Sequence, residues 1–343
     1  METVVRMDIT SLDRTDATAR DELFRLADTA AAHDRPGFPT LCRRLFEHDL
    51  TTRSDEVDRQ VLVGRQDDRA VGAVFVNRSL VEDRATLNCA IVVDPALRRR
   101  GIGRQLFDAT VVLAREHGRT ALVGSVSAPL DESTGWTDST GFGDMVGGQR
   151  LLTNIQRRLD LADIDVERED HLYAEASAAA HDYRLVHWTD AAPEKYIADL
   201  ARLEGRINAD VPHGDAEVEV KQVDTARMRR WEDERVAAGM TMLTLAVQPR
   251  DGGRLAGYTQ LRVLRNHQGF AGLPITLVDP DHRGHRLGLL LKIAARRLLA
   301  REQPRIRAVV TNNAADNAPI LAINDRLGYR RVGRTVQYRY DVP

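Results

Sequence analysis

Apolar and polar positions follow the same order twice along this chain. A short strand-like run opens each half, Val4 to Asp8 and Tyr183 to His187. Helical stretches follow, about Thr15 to His33 and Pro39 to Asp49 in the first half, Pro193 to Ile207 and Thr225 to Ala238 in the second. Then come β-rich runs: Val61 to Gly64, Ala70 to Asn77 and Ala85 to Val93, matched by Met242 to Val247, Leu255 to Val263 and Pro274 to Val278. Each last strand ends in Asp-Pro, because proline cannot continue a central ladder. A basic, glycine-bearing loop then feeds a helix. The first, Ile102 to His117, is stopped by Gly118; the second, Arg286 to Arg301, stops before Pro304. A further strand follows, Thr120 to Val126 or Ile306 to Thr311, then a short helix and a closing strand. Strands, a crossover helix and another strand predict an α/β fold with a mixed, partly parallel sheet flanked by helices.

The landmarks recur at one spacing. Asp94-Pro95 returns as Asp279-Pro280, Gly103 as Gly288, and Gly72 as Gly257, each about 185 residues on. Gly141-Phe142 returns as Gly328-Tyr329 at nearly the same distance. The order predicts two copies of one domain, residues 1–160 and 182–343. Between them, residues 161–181 carry Asp163, Asp165, Glu167 and Glu169 and then an alanine-rich run. Acids in a first turn followed by alanines predict a helical connector, read as a solvated linker.

Composition narrows the field. The 343 residues carry a formal net charge of −2, which argues against a dedicated nucleic-acid binder. Hydrophobic residues make up 43% and charged residues 29%, an ordinary globular balance. No apolar run is long enough for a membrane span. The only two cysteines, Cys42 and Cys89, fit a reducing cytoplasm, with both thiols packed as small hydrophobes. No zinc spacing occurs, and His282-x-x-His285 has no third ligand nearby in sequence, so no metal is expected.

The strongest chemical signal is Val93-Asp-Pro-Ala-Leu-Arg-Arg-Arg-Gly-Ile-Gly-Arg-Gln-Leu106. A strand end, a basic turn and a helix start lie together, and a helix N-terminus with unpaired N–H groups suits a phosphate. Gly101 and Gly103 permit close backbone approach. Arg98, Arg99, Arg100 and Arg104 add charge. The glycine spacing fits neither a P-loop nor a dinucleotide fingerprint. Arg98 to Gly103 resembles the pyrophosphate loop of the GNAT acyltransferase superfamily. The second copy, Val278-Asp-Pro-Asp-His-Arg-Gly-His-Arg-Leu-Gly288, resembles it too, with Arg286 where the family usually has its first glycine. Asn312 to Tyr329 resembles the family's second cofactor motif. The tandem arrangement is similar to the mycothiol synthase-like group.

The resemblance implies binding of acetyl-CoA as co-substrate. The implied contacts are Val92, Val93, Arg98, Arg99, Arg100, Gly101, Ile102, Gly103 and Arg104 in the first copy. In the second they are Leu277, Val278, Arg283, Gly284, His285, Arg286, Leu287, Gly288, Asn317 and Asn324. It also implies direct attack of an amine on the thioester, which needs a base, an oxyanion donor and an acid for the thiolate. The family's oxyanion donor is a backbone N–H at the end of the fourth strand, Val93 or Val278 here. The fourth strands offer no carboxylate, so the base candidates are Asp210, Asp215, Glu217 and Glu219, with Asp215 and Glu217 preferred. The family's acidic tyrosine position holds Thr137 in copy one and Asn324 in copy two, neither an effective acid; Tyr329 and Tyr338 are alternatives. Cys89 reads as a packed thiol and not a nucleophile. By analogy the second copy is expected to be catalytic, acting on a small amine. A non-catalytic CoA-binding or scaffold protein and a protein N-acetyltransferase remain the competing readings.

Overall fold

The computed structural model describes residues 7–131, 135–207, 219–265 and 269–343. In chain order the first elements are β1 (Asp8–Ser11), α1 (Ala17–Asp34), α2 (Arg43–Thr51), β2 (Val57–Gln66), β3 (Arg69–Ser79) and β4 (Thr86–Val93). Next are α3 (Ile102–Glu116), β5 (Ala121–Ala128), α4 (Thr140–Met145), β6 (Gln149–Asp160) and α5 (Val166–Ala179). Then come β7 (Tyr183–Thr189), α6 (Glu194–Gly205), α7 (Thr225–Ala237), β8 (Met240–Pro249), β9 (Gly257–Leu264) and β10 (Phe270–Val278). The last are α8 (Leu287–Glu302), β11 (Ala308–Ala314), α9 (Ala318–Arg326) and β12 (Arg330–Asp341). Asp8 to Ser11 pair with Arg65 to Leu62; of the opening strand expected over Val4 to Asp8, residues 4–6 lie outside the described residues.

Two compact units emerge. Of the described residues, one holds those within 7–153, Glu219 and Gly333–Pro343; the other holds those within 154–207 and 220–332. Strand order in the first unit is β1-β2-β3-β4-β5-β12, and in the second β7-β8-β9-β10-β11-β6. The closing strands are exchanged relative to the sequence repeats. Arg334 to Asp341 pair antiparallel with Ala128 to Ala121 of β5, while Asn154 to Asp160 pair antiparallel with Ala314 to Ala308 of β11. The boundaries 1–160 and 182–343 therefore do not coincide with these units. Pairing between distant segments leaves no local trace in a sequence.

Each sheet carries helices on both faces, so alternate strand residues enter different cores. In the first unit Val61, Val63 and Ala73 pack with Leu23, Leu26, Phe46 and Leu50 of α1 and α2. Leu62, Val74, Val76, Leu87 and Leu122 pack with Leu106 and Val111 of α3. In the second unit Ala246, Tyr258 and Leu277 face Tyr196, Ile197 and Leu200 of α6 and Met228 of α7. Leu243, Leu245 and Leu261 face Leu290, Leu291 and Leu298 of α8. The connector is not solvated. Leu172 and Ala176 of α5 join that same core, and Glu169, 8% exposed, pairs with Arg296 and Arg297 of α8.

The repeated landmarks have steric reasons. A Cβ on Gly257 would lie 2.6 Å from the Leu277 carbonyl oxygen, and one on Gly72 would lie 3.0 Å from that of Val92. These glycines let the neighbouring strand run past the end of β10 or β4. Asp94 and Asp279 each cap the short turn that follows, accepting from the Ala96 N–H at 3.0 Å and the Asp281 N–H at 3.4 Å.

Deleting residues 333–343 removes the strand on β5 and exposes an interior edge. Amide protection in β2 to β5 should collapse while β8 to β10 keep theirs, as read by hydrogen exchange on the truncated chain. Unchanged protection in β3 and β4 would show that the exchanged strand does not hold the first unit together.

Candidate active site

In both units two parallel strands start as neighbours and then part. β10 pairs with β11 over Phe270 to Gly272 and Ala308 to Val310 only. β4 pairs with β5 over Thr86 to Asn88 and Ala121 to Val123 only. Beyond those residues the strands diverge, leaving a wedge in the sheet whose walls are backbone.

In the second unit the wedge is an open cleft of about 530 Å³. One wall is Leu273 to Val278 of β10, and the other is Asn312 to Ala314 of β11. Of the sequence-predicted residues, Leu277, Val278, Arg283, Gly284, Arg286, Leu287, Gly288 and Asn317 line it. His285 and Asn324 do not belong to that lining. The ring of His285 tilts against Tyr183, whose hydroxyl lies 3.0 Å from His282 Nδ1. Among the described residues no third metal-type ligand joins the two histidines. Asn317 caps α9, accepting from the Ile320 N–H at 3.4 Å.

The loop at the cleft mouth has one backbone shape in both units. Gly284 and Arg286 take positive φ, 91° and 55°, as do Arg99 and Gly101 at 64° and 79°. Each loop has two left-handed positions, and each relieves a different one with glycine. Arg286 therefore carries a strain of about 1–2 kcal/mol that glycine would avoid. Its guanidinium pairs with Glu175 of α5. Arg283 and Arg98 play matching parts, each donating from Nε to the last strand carbonyl, Val278 or Val93, at 3.3 Å.

The first unit's wedge is filled. Phe107, Phe142, Tyr338 and Tyr340 occupy it with Cys89 and Ile91, and about 90 Å³ is left. None of the predicted contacts Val92, Val93, Arg98, Arg99, Arg100, Gly101, Ile102, Gly103 and Arg104 lines that remnant. Arg98 is turned to Asp34, with Nη1 at 2.5 Å and Nη2 at 2.9 Å from its carboxylate. Burial alone would raise the Asp34 pKa, but this guanidinium holds it low. Thr137 donates its N–H to the Asp34 carbonyl oxygen at 3.0 Å. Tyr338 donates to Asp144 Oδ1 at 3.0 Å. Burial pushes the Cys89 thiol up to about 12, so it is not a ready nucleophile.

Two groups escaped the sequence reading. Lys292 of α8, 2% exposed, reaches the cleft wall. Its Nζ donates to Asn324 Oδ1 at 2.7 Å, and Asn324 Nδ2 donates to Asn313 Oδ1 at 2.8 Å. Asn324 thus uses both ends of its amide on neighbours and does not line the cleft, in keeping with an amide being no effective acid. Burial, helped by the nearby Arg157 charge, lowers the Lys292 pKa to about 7. The signal was present as a lysine inside the apolar run Leu289-Leu-Leu-Lys-Ile-Ala294. Glu204, in the last turn of α6, faces the buried Tyr258; burial raises both pKa values. The preferred base candidates Asp215 and Glu217, with Asp210, lie outside the described residues. Glu219 serves the first unit, where its N–H donates to Asp83 Oδ1 at 3.0 Å. Tyr329 is buried under Lys292, its ring centroid 5.4 Å from Nζ, and burial raises its pKa.

Residues 57–136 match the acetyltransferase (GNAT) domain family. A mycothiol acetyltransferase of Clavibacter michiganensis subsp. michiganensis is 31% identical over 287 residues, 81% of this chain and 79% of that protein. One from Clavibacter sepedonicus is 30% identical over 293 residues, 84% and 83% of the two chains. The chain belongs to the GNAT acetyltransferase family. A solved tandem GNAT protein from the clavulanic acid biosynthesis pathway, without acetyl-CoA, superposes with a TM-score of 0.82 at 27% identity, over 98% of this chain and 99% of its own. A GCN5-related N-acetyltransferase from Sphaerobacter thermophilus shares the fold, at 14% identity and a TM-score of 0.64, over 99% and 97%. This GNAT chain is an acetyl-CoA-dependent N-acetyltransferase of tandem architecture. Among the described residues no helix is long and apolar enough to cross a membrane.

The cost of burying Lys292 has a pH signature. A lysine whose folded pKa lies below its unfolded value leaves the folded state with fewer protons. Wild-type stability should therefore fall as pH drops from about 10.5 to about 7 and level off below. The limiting slope is about 1.4 kcal/mol per pH unit. Lys292→Met lacks this term, so its melting temperature should gain on wild type between pH 10 and pH 7 and hold constant below pH 6. A difference independent of pH would mean that Lys292 is not held neutral in the fold.

Proposed function

We propose that this N-acetyltransferase carries an acetyl group from acetyl-CoA to the primary amine of a small molecule, and that the second unit does the chemistry. The observation that carries this reading is the contrast between the wedges: open and polar-edged between β10 and β11, packed with aromatic rings between β4 and β5. The open one fits a narrow pantetheine-like arm, with the glycine-bearing loop and the N-terminus of α8 at its mouth for a pyrophosphate. The filled one does not fit it, so we assign the first unit no acetyl-CoA.

The strand geometry supports Val278 as oxyanion donor. The Asp279 N–H points to β9, donating to the Ala256 carbonyl oxygen at 2.9 Å. Alternation along a strand turns the N–H of the preceding Val278 to the opposite side, toward the wedge. A fixed backbone donor there would stabilise charge on the thioester oxygen as the amine adds. We retain Asp215 and Glu217 as candidate proton acceptors, to which Glu204 adds a carboxyl whose pKa burial raises. The names of the relatives, mycothiol acetyltransferase and a clavulanic acid pathway protein, support a small amine over a protein acceptor.

Calorimetric titration of acetyl-CoA tests the assignment. Wild type should bind one equivalent per chain. Gly288→Glu, which sets a carboxylate against the pyrophosphate, should weaken binding at least about tenfold. Gly103→Glu should leave it unchanged, both variants being checked for native circular dichroism. Two equivalents, or loss in Gly103→Glu alone, would overturn the choice of unit.

A further inference from the structure

Lys292 stands at the repeat position of Phe107, and both side chains face their unit's wedge. In the first unit that position holds a ring that fills space. In the second it holds a cation in a dry wall beside an open cleft, where an apolar side chain would have packed at no electrostatic cost. The surroundings hold the amine in place without neutralising it. From α9, Asn324 Oδ1 accepts its hydrogen bond at 2.7 Å. From β11, Asn313 holds Asn324 at 2.8 Å and itself lines the cleft. The Tyr329 ring lies beneath Nζ. The charged group from β6 is Arg157, of like sign, and its own counter-ion is Asp325, 2.5 Å from Nη1. An ammonium has three N–H donors, and Asn324 accepts one of them.

We propose that Lys292 is the proton donor to the departing CoA thiolate, with Asn324 and Asn313 as its positioning residues. The inference rests on the second unit being the acetyl-CoA site. The acceptor nitrogen adds its lone pair to the thioester carbon, forming C–N. Collapse of the adduct breaks C–S, and the electron pair leaves on sulfur. Nζ–H transfers its proton to that sulfur, and CoA departs as a thiol. The proton lost by the acceptor nitrogen passes to the carboxylate base and on to solvent, from which Lys292 is reprotonated. A donor held near neutrality can both give up and regain its proton at working pH. This resolves the asparagine at the family's tyrosine position: Asn324 carries the acid and is not the acid itself.

The chain has only three lysines, Lys195, Lys221 and Lys292, which makes the test direct. In the intact protein labelled with 13Cε-lysine, Lys292→Arg identifies the Lys292 resonance. Its titration midpoint is followed free, with CoA, and with desulfo-CoA, which lacks the sulfur. CoA should raise the midpoint by about one unit or more, since a thiolate beside the ammonium favours the charged form. Desulfo-CoA should not raise it. Calorimetry above pH 8 should show wild type preferring CoA over desulfo-CoA by about tenfold, and Lys292→Met should lose that preference. A midpoint indifferent to sulfur, or a preference that survives in Lys292→Met, overturns the proposal while leaving the second-unit site intact. Absence of CoA binding to wild type would overturn that site and this inference together.

Discussion

Two parallel strands that pair for three residues and then part set the terms for the rest of this protein. Backbone N–H and C=O groups inside a fold need partners, so a wedge between strands must be either filled or built to receive a guest that supplies them. The two units solve the same problem in opposite ways. Phe107, Phe142, Tyr338 and Tyr340 close the wedge of the first. The second keeps its wedge open and lines it with Asn312, Asn313 and Lys292. One architecture thus occurs twice, with an open cleft in one unit and a ring-lined pocket of about 90 Å³ in the other.

The other features of the site follow from keeping that wedge in register. Gly257 and Gly72 let β9 and β3 run against the strand that bends away. The left-handed positions at Gly284 and Arg286 turn the chain so that α8 starts at the cleft mouth. The exchanged strands fix the far side: β6 holds β11, and β12 holds β5. Arg157 of β6, fully buried, also sits beside Lys292 and helps keep that amine low in pKa. A strand encoded before the second repeat thus bears on the charge of a residue that lines the second cleft. Burying two like charges side by side is a stability cost that apolar side chains would not carry.

Much of this was legible in the residues. The repeat, the Asp-Pro strand ends, the capped loops and the helices after them are local: proline geometry, glycine at positive φ and side-chain caps act within a few residues. Arg283 to Gly288 could be read as a turn that feeds a helix for that reason. The hydrogen bonds of Asn324 could not be read from the sequence, because its partners Lys292 and Asn313 come from other elements. The connector looked solvated since its acids dominate the composition, yet Leu172 and Ala176 turn one face to the core.

By itself, then, the sequence determined the element order, the two-fold repeat and the shape of the glycine-bearing loops, all products of short-range stereochemistry. Tertiary structure alone decided which closing strand serves which sheet, which wedge stays open and which lysine faces it. Those outcomes depend on pairing and packing between segments distant in sequence, where several partners satisfy the same local pattern and only the assembled core selects one.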